Sequence, residues 1–181
     1  MRVSYGSHEV PVGDAEFVPN LLRAIATDPQ VAVLHWPMRK ACGAGLEGHV
    51  AELIISAVAA QCCNGMVWSS HAPRLVEMGH SLEQIRGLRE GDLALWDDAD
   101  QALVTLAQAI QSCTVTDQQW DTLAKFLPSD RLAHVVLLAS YYAMMCRIQS
   151  AYDVPPDEGL VGMVYPDTGH VLPSWVPSGS R

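Results

Sequence analysis

Glu52 and His71 stand in the most apolar stretch of the chain, ELIISAVAAQCCNGMVWSSHAPRLVEMG from Glu52 to Gly79. Almost nothing polar follows Glu52 until Gln61, and an unpaired carboxylate is costly to bury in such a helix. Glu52 must therefore point to solvent, find a donor, or titrate with a raised pKa. His71 follows the Asn64-Gly65 break, which makes the stretch a helical hairpin whose antiparallel arms could bring the two side chains together. A carboxylate orienting an imidazole gives a general base near neutral pH. Spacing alone favours a plainer reading, in which Glu52 is a surface residue near the helix start and His71 a satisfied core histidine.

The elements that must position the pair are helical. Val18, Leu21, Leu22 and Ile25 recur at helical spacing over Phe17 to Ala26. Asp28 is an N-cap with Pro29 at the first helical position. Gln30 to Arg39 is expected to be helix, with Pro37 kinking or ending it. A helix from about Glu47 to Cys63 is expected to be buried nearly all round. Asn64 caps the next helix, Met66 to Met78, and Gly79 stands at its end. Ser81 to Gln84 and Thr116 to Gln119 are capping boxes. The first opens a helix through Leu88, the second a helix that Pro128 closes, and another runs between them from about Asp97 to Gln111. Ser129-Asp130 caps a long helix from Arg131 to about Tyr152, with Leu132, Val135, Leu138, Ala139, Tyr142 and Met145 as its buried stripe. Five prolines and four glycines after Asp153 exclude regular helix there; Tyr165 and Trp175 suggest that the tail packs on a surface. The expectation is a single all-α domain spanning 1–181 with about seven helices: an irregular arm 1–16, a helical core 17–152 and a Pro/Gly-rich tail 153–181.

Composition narrows the function. Hydrophobic residues are 49% of the 181 and charged residues only 17%. No uninterrupted apolar run approaches the roughly 20 residues of a membrane span. The apolar surplus must enter the core or a subunit interface, which predicts a homo-oligomer. A net charge of −9 with scattered arginines argues against nucleic acid and anionic membranes as partners. The segment MRVSYGSHEVPVGD has no apolar secretion core, and five cysteines without small-scaffold spacing suit reduced thiols in a cytoplasm. A Cys62–Cys63 vicinal disulfide would be strained, so buried free thiols are expected. Glu77 and His80 have the Glu-x-x-His spacing of di-iron bundles, but no second copy exists and Gly79 marks a helix end.

Glu52, the small apolar run, Trp68-Ser69-Ser70-His71 and Gly79 followed by a capped short helix together resemble the carboxymuconolactone decarboxylase / AhpD-like family. The flanks agree: Leu21 to Pro29 looks like the family's first helix, and Tyr141 to Pro155 resembles the closing helix and turn of the decarboxylase-like branch. The resemblance covers roughly residues 17 to 158. It implies an all-α AhpD-like fold, a trimer or hexamer, and no cofactor or metal. In the peroxidase branch a Glu, a CxxC pair and a His form a thiol relay. Counting from Glu52, the two thiol positions fall at Asn64 and Val67, and the histidine at His71. Both relay thiols are missing, and Cys63 has no partner three residues on. Hydroperoxidase activity through a CxxC pair is therefore rejected.

In the decarboxylase-like branch the reaction is acid/base work on a lactone or carbonyl acid, which implies His71 as acid/base and Glu52 as its partner. Trp68, Cys63, Asn64, Tyr142 and His134 are candidate pocket residues; His35 and His49 are weaker. Arg39, Arg74 and Arg147 are the plausible clamps for an anionic substrate. Because so few basic residues stand outside exposed-looking positions, a more apolar small molecule is expected. The alternatives are a non-catalytic oligomeric binding protein of the same fold and a single-thiol redox protein using Cys63.

Overall fold

A single apolar helix forms the centre. In the computed structural model, which describes residues 20–26 and 28–154, α3 (Gly48–Gln61) packs against α4 (Gly65–Glu77), α5 (Leu82–Glu90), α6 (Asp98–Ser112) and α8 (Ser129–Tyr152). Every residue of α3 from Glu52 to Ala59 is buried, so neighbours surround it as its composition predicts. Around this centre, α1 (Asn20–Ile25) packs on α2 (Pro29–Gly43), α2 lies along α8, and α7 (Asp117–Leu123) packs on α6. The described residues are all-helical, with eight helices where about seven were expected. Residues 1–19 and the tail beyond 154 lie outside the described residues, and with them most of the expected arms.

Local chemistry sets the boundaries. Asp28 Oδ1 accepts from the Gln30 amide at 2.9 Å and Pro29 opens α2. Both capping boxes form, Ser81 with Gln84 and Thr116 with Gln119. Gln30 to Arg39 is helical, and Pro37 does not end it: α2 continues to Gly43. Two expectations fail at the far end. Pro128 does not close α7, which stops at Leu123; it holds the N-cap position of α8 instead. Consequently α8 begins at Ser129 rather than Arg131, with no side-chain cap from Ser129 or Asp130. Proline, lacking an N–H, is as well suited to precede a helix as to follow one.

Five helices end in a left-handed residue. Two are glycines, Gly79 and Gly91, but Cys63, Cys113 and Asp153 take the same conformation at φ 50°, 57° and 54°. At each of these three the following amide reaches back five residues, as Asn64 N does to Ala59 O at 2.9 Å. This hydrogen-bonded reversal ends α3 and turns the chain into α4. No single helix among the described residues is long and apolar enough to cross a membrane.

Candidate acid/base site

The α3–α4 hairpin brings the two predicted residues together. Glu52 Oε2 lies 2.6 Å from His71 Nδ1, and the carboxylate's other oxygen, Oε1, accepts from Arg74 Nη1 at 3.0 Å. Arg74 follows His71 by three residues, one turn on the same face of α4, so one carboxylate engages both. Glu52 is buried, with 7% of its surface exposed, which overturns the plain reading of it as a surface residue. Asn64 holds the hairpin's turn: its Oδ1 caps α4 through the Val67 amide at 2.9 Å.

From the other side α2 and α8 close over the imidazole. The Tyr142 ring meets His71 edge-on at 5.2 Å between centroids, and its hydroxyl accepts from Arg39 Nε at 2.8 Å. The Arg39 guanidinium also lies 5.3 Å from the Tyr142 ring centroid. Beside it the Tyr141 hydroxyl is 2.6 Å from His35 Nδ1. Burial, helped by Arg39, lowers the His35 pKa to about 4, so His35 is neutral at physiological pH.

Electrostatics set the roles. Burial works to raise the Glu52 pKa, but the His71 hydrogen bond and the His71 and Arg74 charges outweigh it, leaving the group below its ordinary value. It is a carboxylate at neutral pH. Burial lowers the His71 pKa against the pull of Glu52, and Arg74 and Arg39 lower it further. A neutral imidazole beside an ionised carboxylate places its proton on Nδ1, toward Glu52, and leaves the lone pair on Nε2. That is the tautomer of a general base.

The other sequence candidates divide. Trp68 is fully buried one turn before His71 and forms part of the core. Asn64 is committed to the helix cap and to α8, donating to Cys146 O at 3.3 Å and Gln149 Oε1 at 2.7 Å. His134 is tied to Cys42 O at 3.1 Å and packs over Gly45, where a Cβ would collide with its ring. Cys62 is half-buried but Cys63 is exposed at the end of α3, so the expectation of buried free thiols at this pair fails at Cys63. Of the three candidate clamps Arg39 and Arg74 reach the site, whereas Arg147 donates to Gln111 O at 3.1 Å. The signal for Arg74 was present in its spacing from His71; Arg39 arrives only through the docking of α2 on α8. His49 pairs with Asp100 at 3.8 Å and lines a separate cavity of about 530 Å³ with Asp97, Leu103, Phe126 and Arg131. Among the described residues no group of three or more His, Cys, Asp or Glu side chains is arranged to hold a metal ion, and His80 instead packs on Trp96 at 4.8 Å.

Solved structures share this arrangement of helices. The debrominase Bmp8, seen as a single-residue variant in complex with 2,3,4-tribromopyrrole, is similar with a TM-score of 0.68 and 14% identity, over 78% of this chain and 79% of that one. An uncharacterized peroxidase-related protein from Silicibacter sp. TM1040 gives 0.70 and 14%, over 88% and 96%. An alkylhydroperoxidase AhpD core from Ralstonia eutropha JMP134, also described as an uncharacterized peroxidase-related protein, gives 0.62 and 15%, over 80% of each chain. No family model matches the sequence, and no curated protein matches it. The chain has the AhpD-like helical fold.

Proposed function

We propose that this chain is an enzyme that moves a proton on a small lactone or carbonyl acid, with His71 as the acid/base and Glu52 as the group that orients it. The observation that carries this reading is the buried 2.6 Å contact between Glu52 and His71 Nδ1. With Nδ1 engaged, Nε2 takes a proton from carbon beside the substrate carbonyl and returns it elsewhere. In a decarboxylation the protonated imidazole hands its proton to the carbon that loses CO₂. Arg39 and Arg74 offer positive charge to a substrate carboxylate. This favours an anionic substrate over the apolar one that the scarcity of basic residues suggested. The chemistry needs no cofactor.

The same reading includes a homo-oligomer, a trimer or hexamer. Val31, Leu34 and Met38 project from α2 and Leu137 and Met144 from α8, all exposed on two helices that pack together. Such a face is suited to a second copy of the chain. Light scattering of the purified protein tests it: a strictly monomeric mass at micromolar concentration would remove that part of the reading.

The catalytic part is tested by turnover of His71→Ala on a panel of small lactones and β-keto acids. A loss of about 10²-fold or more is expected. Turnover equal to the parent on every substrate that the parent converts overturns the assignment of His71.

A further inference from the structure

The separate cavity of about 530 Å³ opens where three helices begin. Its walls come from the starts of α3, α6 and α8 and from the segment that joins α7 to α8. Glu52, His71, Arg74, Arg39 and Tyr142 do not line it, so it is distinct from the acid/base site. Its volume lies within the roughly 300–1,000 Å³ of small-molecule pockets. Buried Leu103 of α6 and Leu123 of α7 supply apolar wall, and the exposed ring of Phe126 borders it.

Charges of opposite sign share this cavity without meeting. Asp97 and Asp100 stand at the start of α6, Glu47 precedes α3, and Arg131 belongs to the first turn of α8. Arg131 is half-buried, yet among the described residues its guanidinium makes no ion pair or hydrogen bond. Three carboxylates line the same space and none of them reaches it. Asp97 spends one oxygen on the helix cap, accepting from the Asp100 amide at 2.8 Å, and keeps the other. His49 Nε2 lies 3.8 Å from Asp100. Burial and the Asp97 charge still raise the Asp100 pKa, the mark of two crowded carboxylates. Across the cavity α8 begins on Pro128 without a side-chain cap, so the positive end of its dipole adds to Arg131.

These charges select the ligand. A simple cation would meet Arg131 and leave it unpaired, and a simple anion would face the carboxylates. A molecule with an ammonium, a carboxylate and an apolar body serves both sides at once. We propose that this cavity binds a small zwitterion with an apolar side chain, of the kind found in free amino acids and dipeptides. The ammonium donates to Asp97 and Asp100, the carboxylate accepts from Arg131, and the apolar part lies on Leu103, Leu123 and Phe126. No bond is made or broken there, and the site does not depend on the acid/base reading.

The test is calorimetric titration of the full chain at pH 7 with four probes. L-phenylalanine and L-alanyl-L-phenylalanine carry both charges, 2-phenylethylamine only the ammonium, and 3-phenylpropanoate only the carboxylate. At least one zwitterion is expected to bind with a Kd of about 1 mM, and both single-charge probes about tenfold more weakly. Tighter phenylalanine would assign a free amino acid, and tighter alanyl-phenylalanine a peptide. Neither zwitterion binding at about 10 mM, or a single-charge probe binding as tightly as the better zwitterion, overturns the proposal.

Two variants locate the charges. Arg131→Gln strands no partner and should keep the parent's thermal melt. It is expected to weaken the zwitterion about tenfold while leaving 2-phenylethylamine unweakened. Asp100→Asn should weaken the zwitterion and 2-phenylethylamine together. Zwitterion binding equal to the parent's in both variants overturns the proposal.

Discussion

The two ends of α3 use the same scaffold for opposite purposes. Toward its start the helix carries Glu52, a charge buried inside the fold and kept ionised because His71 and Arg74 donate to it. At its end it carries Cys62, a weak acid made stronger by a neighbouring thiol and Arg147. At both ends groups from other helices favour the anion: α4 at one end, α6 and α8 at the other. The difference lies in solvent access. Glu52 is shielded and serves to orient its partner, whereas Cys62 is half-exposed and can itself react. An apolar helix thus gains function only where neighbours supply the polar atoms it lacks.

The largest effect that separates the two ends is His71→Ala. Turnover falls by about 10²-fold or more while the labelling rate of Cys62 stays within about twofold of the parent. A parallel loss at Cys62 would mean that the variant disturbs the whole hairpin, and would erase the distinction between the ends. Glu52→Gln keeps the shape and removes the charge, with an expected loss of roughly tenfold in kcat. Because Glu52 raises the His71 pKa, removing its charge shifts the acid limb of the pH–rate profile to lower pH. An unshifted limb would show that the two do not titrate as a pair.

Acid stability gives a second comparison. His71 has an ordinary value of 6.5, lowered in the fold. As the pH drops below 6.5, the unfolded chain takes up a proton that the fold resists, and stability falls. Glu52, held below its ordinary 4.5, adds a second loss as the pH falls further through its folded value. Thermal melts of His71→Gln and Glu52→Gln should each flatten the corresponding part of the acid limb. An acid limb identical to the parent's in both variants would sink the assignment. At the clamp, Arg39→Gln is expected to raise KM about tenfold with kcat nearly unchanged, the signature of lost ground-state binding. A fall in kcat alone would instead assign Arg39 to positioning Tyr142.

How legible was this in the chain? The hairpin was, because its signals are local: an apolar run, Asn64 as a cap, Gly65, and a histidine at the distance where antiparallel arms return. Both capping boxes were legible for the same reason. What depended on docking was not. Asn64 meets Cys146 O, and Arg39 meets Tyr142, only because α8 packs on α3 and α2, and no local spacing encodes that. Pro128 misled because a proline between two helices belongs equally well to the end of one or the start of the next. The burial of Glu52 was hidden too, since a carboxylate near a helix start reads as exposed until its partners on the next helix are known.

The smallest expected effect concerns the turn that links the two chemistries. Cys63 holds φ 50° with a side chain, in a conformation that glycine adopts freely. A left-handed residue costs about 1–2 kcal/mol when it bears a Cβ, and glycine's extra freedom in the unfolded chain offsets part of the relief. Cys63→Gly should therefore stabilise the protein by about 0.5 kcal/mol, measured by denaturant melts. Cys113→Gly, at φ 57° after α6 and also exposed, serves as the reference for an ordinary helix end. If both stabilise alike, the turn at Cys63 is a helix cap and its thiol is incidental to the geometry. If Cys63→Gly destabilises while Cys113→Gly does not, the Cys63 side chain makes a stabilising contact in the folded state that Cys113 lacks, and the two helix ends are not equivalent.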